Sequence, residues 1–246
     1  MFPKKYKIAA GAGFLLFLFL FIYLAATGVD NNLTSEDQEY IKKILEVEEI
    51  ETFSGEQTFA EEIKFISTVQ DSVLQKVPHE GGVPFGQERE PADIYRHASG
   101  SCYDRSRLLG KIFRAHGLQT VHLSLYYTHE KPGPLALITP QNPSHAISKV
   151  KTREGWLAVD SNRRWLNLDE NLNIVSFDKL AAQADDEISA VNWHDRYSRD
   201  HDHSITNRPF VRIYGLYSRH GLFYPPFDRF PDIHWGEFSK NITGLH

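Results

Sequence analysis

The sequence predicts an α+β domain in which a cysteine-bearing helix packs on an antiparallel β-sheet, preceded by one transmembrane helix. Three observations carry this. An amphipathic helix starts at Cys102, the only cysteine of the chain. Two strand-like segments, residues 144–150 and 156–160, follow it and flank the polar stretch Thr152-Arg153-Glu154-Gly155. Near the N-terminus, the 22 residues from Ile8 to Val29 contain no charge.

That uncharged run would span roughly 33 Å as a helix at about 1.5 Å per residue, enough for a bilayer core. Lys4, Lys5 and Lys7 precede it and Asp30 follows it. The positive-inside rule then leaves a short N-terminus in the cytoplasm and the rest of the chain outside. A cleaved signal peptide, ending near Ala26-Thr27-Gly28, is the competing reading; the run is longer than a usual signal core. The expected organisation is an N-terminus and membrane anchor over residues 1–29 and an extracytoplasmic domain over 30–246. Within that domain the core would cover about 58–215 and an aromatic tail 216–246. The corresponding location is a cell membrane, single-pass, with the domain periplasmic if the cell is Gram-negative.

Beyond the anchor, Ser35-Glu36-Asp37-Gln38 resembles a capping box and opens a charged helix running to about Val47. Thr58-Phe59-Ala60-Glu61 opens another, with Phe59, Ile63, Ile66, Val69, Val73 and Val77 on one face as a core wall. Residues 78–91 are rich in Gly and Pro and lead to a short helix at 92–97. In the cysteine helix, Leu108, Leu109, Ile112, Phe113 and Ala115 make one apolar stripe. Ser99 or Ser101 can cap it, and Gly117 can end it in a left-handed conformation. Residues 118–127 read as a strand. Residues 128–143 carry Pro132, Pro134, Pro140 and Pro143 and form an irregular loop close to the expected site.

Cys102 falls in the first turn of its helix. There, unpaired backbone N–H groups and the positive end of the helix dipole favour a thiolate and can receive an oxyanion. The order thiol, imidazole, carboxylate is completed by His145 and Asp160. If the hairpin closes about the midpoint of Thr152 and Arg153, His145 stands directly opposite Asp160 and Ile147 opposite Ala158. The two would then be neighbours on one face; a one-residue bulge at Gly155 would separate them onto opposite faces. Gln87 and Tyr95 are candidates for a second oxyanion donor.

The stretch from Gly100-Ser101-Cys102-Tyr103-Asp104-Arg105 through Phe113-Arg114-Ala115-His116-Gly117-Leu118 resembles the cysteine helix and following strand of the transglutaminase-like superfamily. His145-Ala146 and Trp156-Leu157-Ala158-Val159-Asp160 resemble its histidine and aspartate strands. The likeness covers roughly residues 85 to 170. It implies a papain/transglutaminase-like core with Cys102 as nucleophile, His145 as general base and acid, and Asp160 as the residue that orients the imidazole. Papain itself fits less well, because its context around the cysteine is absent and the third residue here is Asp.

The expected function is cysteine-dependent acyl chemistry on amide bonds, as a peptidase, amidase or transamidase acting on a protein or peptide, with no cofactor and no metal. The alternative is a catalytically silent module that holds a peptide, a cell-envelope glycan or an assembly partner. The formal charge of −5 includes Lys4, Lys5 and Lys7; without them, 24 basic residues face 32 acidic ones, a balance unsuited to nucleic acid. His194, Asp195, Asp200, His201, Asp202 and His203 are metal-ligating types, but their spacing matches no particular ion and suits an exposed loop. The tail carries Tyr217, Phe223, Tyr224, Phe227, Phe230, Trp235 and Phe238 among prolines, a composition suited to covering the sheet or to a binding platform.

Overall fold

A computed structural model describes residues 4–53, 55–84, 88–128, 133–137, 139, 142–182, 188, 190–200, 204–217 and 232–243, with the backbone alone for residues 4–10 and 12. Its architecture is α+β. Four antiparallel strands, β1 (Thr120–Tyr127), β2 (Ser144–Thr152), β3 (Gly155–Asp160) and β4 (Phe210–Tyr214), form one sheet in the order β3-β2-β1-β4. Five helices precede it: α1 (Lys4–Thr27), α2 (Ser35–Leu45), α3 (Phe59–Lys76), α4 (Pro91–His97) and α5 (Cys102–Ala115).

The helix starts follow their capping residues. Thr34, one position earlier than Ser35, accepts from Asp37 N at 3.0 Å, and the Asp37 carboxylate accepts from Thr34 N at 2.8 Å. Thr58 and Glu61 close the same box on α3. The α3 stripe Ile63, Ile66, Val69 and Val73 is buried against Leu108, Leu109, Ile112 and Phe113 of α5 and Val150, Leu157 and Val159 of the sheet. α5 therefore lies on one face of the sheet. On the other face, Val121, Leu123, Leu125, Ile147 and Ala158 pack beneath Trp165, Phe177 of helix α6 (Phe177–Ala182), Leu180 and Ile205.

The transmembrane helix expected before this domain is not supported: among the described residues, no helix is long and apolar enough to cross a membrane. The end of the uncharged run is tied to the domain instead. Thr27 is buried, its carbonyl accepts from Ile233 N at 2.7 Å, and Val29 N donates to Ile233 O at 2.8 Å. One turn earlier, the Leu24 carbonyl accepts from Trp235 Nε1 at 3.2 Å, and the Tyr23 ring packs edge-on against Trp235. Residues 23–29, which the count of uncharged positions assigned to a bilayer, thus have protein partners. Further back, Phe14 to Ile22 of α1 leave their apolar side chains exposed.

The hairpin register also differs from the sequence expectation. Thr152 pairs with Gly155 around the two-residue turn Arg153-Glu154, so Ile147, not His145, stands opposite Asp160, and Lys149, not Ile147, faces Ala158. Gly155, at φ +143°, belongs to the strand and not to the turn. The displacement is two residues. Because side chains alternate with period two, His145 and Asp160 keep the same face.

Candidate active site

Cys102 is the first residue of α5, a half-buried free thiol. Asp104, fully buried, organises the turn before it: its Oδ2 accepts from Ser101 N at 2.9 Å, Ser101 Oγ at 3.0 Å and Val83 N at 3.2 Å. The approach is tight. A Cβ on Gly82 would lie 2.7 Å from that same Oδ2, and one on Gly100 would lie 2.8 Å from Val77 Cγ1, so both positions require glycine. Among the described residues neither Cys102 N–H nor Tyr103 N–H donates to a protein acceptor, as expected for the first turn of a helix.

His145 lies near the start of β2 and Asp160 at the end of β3, so both belong to one end of the sheet. Asp160 is buried, and its carboxylate meets His145 Nε2 at 3.1 Å and 3.2 Å. Asp160 Oδ1 also accepts from Asn162 N at 2.6 Å and Arg163 N at 3.0 Å, a local turn that holds the carboxylate in place. The Cys102 thiol also acts on the imidazole electrostatically, although no direct hydrogen bond joins the two among the described residues. With Nε2 turned to the carboxylate, Nδ1 is the nitrogen left for sulfur. Burial acts to depress the His145 imidazole, but the charge of Asp160, the hydrogen bond to it and the nearby Cys102 thiol together push it up to about 10. It is therefore protonated at neutral pH.

Several residues at this site carry no motif in the sequence. Gln70 of α3 is buried and donates Nε2 to the carbonyls of Asp160, Arg163 and Trp165 at 2.8, 2.9 and 3.1 Å. Arg105, one helical turn from Cys102, donates Nε to Val77 O at 2.6 Å and NH1 to Ser161 O and Asn162 Oδ1 at 3.2 and 3.0 Å. It links the cysteine helix to the carboxylate turn. Arg89, also buried, pairs with Asp232 and lies 3.8 Å from Asp104 Oδ1. The nearest available signal for these residues was polar side chains on otherwise apolar helix faces, which names no partner.

Gln87 lies outside the described residues, and Tyr95 packs its ring against Tyr40 at 5.5 Å. Of the histidine–aspartate cluster, His201, Asp202 and His203 lie outside the described residues. His194 stacks on Tyr197, and Asp200 accepts from Arg164 N. No group of three or more His, Cys, Asp or Glu among the described residues is placed to hold a metal ion. In the tail, Tyr217 stacks on His122 at 3.9 Å, and Trp235 and Phe238 pack against the cluster of Tyr126, Ile213, Leu216 and Ile233. Phe223, Tyr224, Phe227 and Phe230 lie outside the described residues.

No family model and no curated protein matches the chain. Among solved structures, the crystal structure of a TGase is similar at a TM-score of 0.33 and 14% identity, over 53% of this chain and 34% of that one. A candidate protease from Parabacteroides distasonis is similar at a TM-score of 0.33 and 16% identity, over 51% and 23%. The chain thus spans 34% and 23% of the length of these two structures. Likeness at this level does not bear on chemistry, which has to be read from the chain's own side chains.

Proposed function

We propose that the chain is a thiol enzyme acting on amide bonds, with Cys102 as nucleophile, His145 as general acid and base, and Asp160 as the residue that orients the imidazole. The observation that carries this is His145 itself: one ring nitrogen is held by a buried carboxylate at 3.1 Å, and the thiol of Cys102 is close enough to raise the affinity of the ring for its proton. A buried histidine with a purely structural role does not need a free thiol beside it.

The sulfur attacks the amide carbonyl carbon, and the developing oxyanion is received by the Cys102 backbone N–H at the helix start. Collapse breaks the C–N bond. The leaving amine takes the proton from His145, leaving a thioester on Cys102 and a neutral imidazole. His145 then removes a proton from the second nucleophile as it attacks the thioester. Water gives a carboxylic acid; an amine gives a new amide. Asp160 keeps the charge on the imidazolium compensated through both halves.

The test is a set of glutamine-containing peptides incubated with the full chain, with and without a primary amine, and read by mass spectrometry. The reading requires deamidation, cleavage or amine incorporation that disappears in Cys102→Ala. Product formation unchanged in that variant would remove Cys102 from the chemistry, and no product from any peptide would favour a fold that binds without reacting.

A further inference from the structure

At the opposite end of β2 from the triad, the same sheet face carries a group of cations that outnumber their carboxylate partners among the described residues. Lys149 is four residues beyond His145, so their backbones are about 13 Å apart at a strand rise near 3.3 Å. Ile147, between the two positions, and Ala158, opposite Lys149, are fully buried, which separates this region from the candidate active site. Lys149 is only 9% exposed, and among the described residues its ammonium has no hydrogen bond and no ion pair. It sits 5.7 Å from the centroid of the Trp156 ring and 5.6 Å from that of Phe177. Lys151 reaches the Trp156 ring from the next position on the same face, also at 5.7 Å.

Trp156 is in turn one wall of an open cleft of about 410 Å³, whose other lining includes Arg114, Lys240 and residues 117–121; Lys149 and Lys151 stand beside it at the Trp156 ring. Of the cations in this neighbourhood, Arg114 is paired with Glu237 at 2.8 Å and Arg212 with Asp178. Lys149, Lys151 and Lys240 form no ion pair among the described residues, and Asp178, already paired with Arg212, is the carboxylate that acts on Lys149. Such an arrangement is costly in a chain with a net charge of −5, which has acidic side chains to spare. Burial first, then Arg212, Lys240 and Lys151, against an opposing effect of Asp178, depress the Lys149 ammonium to about 8. An anion placed among these groups would relieve both the desolvation and the mutual repulsion.

We infer that the cleft beside Trp156 binds an oxyanion, carboxylate or phosphate, between Lys149, Lys151 and Lys240, with the organic body of the ligand lying on the indole. The cationic rim supplies the charge and the ring supplies a flat apolar surface. Acidic side chains of a peptide and free phosphate are the two sources of that chemistry.

Isothermal titration calorimetry of the full chain with hexaglutamate peptide and, separately, with inorganic phosphate tests the inference. Saturable binding of at least one probe is expected, weakening as salt is raised. Lys149→Gln should lower the affinity by about tenfold, and the rim pair Lys151→Gln with Lys240→Gln by a similar factor. The rim variant keeps the test open if Lys149→Gln does not fold, and Lys43→Gln on the exposed face of α2 should leave binding unchanged. Binding of hexaglutamate alone assigns the oxyanion to peptide carboxylates, and binding of phosphate alone assigns it to phosphate. The inference is overturned if neither probe binds saturably, or if the affinity survives in both the buried and the rim variants.

Discussion

Asp160 stands opposite Ile147 on the neighbouring strand, and from this diagonal position its carboxylate reaches His145 Nε2 at 3.1 Å. A diagonal pair is longer between backbones than a direct one, so the contact depends on both side chains leaning toward each other. The turn N–H groups of Asn162 and Arg163 hold Asp160 Oδ1 in that pose. Asp160→Asn keeps an acceptor for those groups and removes the charge. Turnover of an amide substrate should fall by a factor on the order of 10² to 10⁴, with the fold retained by circular dichroism.

The His145 imidazole also makes stability depend on pH. Its folded value of about 10 lies above the unfolded value near 6.5, so the proton binds the folded state more tightly. This contribution is fully present below the unfolded value and is lost as pH rises through the folded one. Urea denaturation of the full chain should show stability declining with pH over that window by up to about 1.4 kcal/mol per unit. Adding His145→Gln should flatten the decline.

His122 gives the opposite limb. It is buried, accepts from Ser106 Oγ at Nδ1 at 2.8 Å and donates from Nε2 to Leu216 O at 2.9 Å, a neutral tautomer with both nitrogens occupied. Burial is the main reason that its folded value falls to about 3, with Arg89, Arg107 and Arg114 adding to it and the Leu216 carbonyl opposing. Below about 6.5 the unfolded chain takes up a proton that the folded chain refuses. Stability should therefore fall as pH drops from there toward 3, and His122→Gln should make that acid limb shallower in the same denaturation series.

Gln70 fastens the carboxylate turn from a different element. Its amide donates to three carbonyls around Asp160. Gln70→Leu fills the volume but leaves those carbonyls with one donor fewer each. A loss of about 1–3 kcal/mol in urea denaturation is expected, together with a lower kcat, since the turn that orients Asp160 loosens.

The cysteine helix was legible because its apolar stripe, polar cap and terminal Gly117 all agree on one element. The face shared by His145 and Asp160 was legible too, although their exact pairing was not. Gly155 looks like the end of a four-residue turn, whereas the chain reverses at Arg153-Glu154 alone. An even displacement preserved the shared face. Gln70 and Arg105 were not legible, since their partners are carbonyls in distant segments and a carbonyl leaves no trace in a sequence. The N-terminal helix was misread for a related reason. A count of uncharged residues cannot register that Tyr23, Leu24, Thr27 and Val29 have partners at Ile233 and Trp235.

The rate of Cys102 alkylation by iodoacetamide, followed from about pH 5 to about pH 10 in the full chain and in His145→Ala, tests the central claim most directly. If the imidazole activates the sulfur, the unmodified chain should react at neutral pH at least about tenfold faster than the variant. Superimposable profiles for the two proteins would contradict it, because His145 would then stand near the thiol without changing its chemistry.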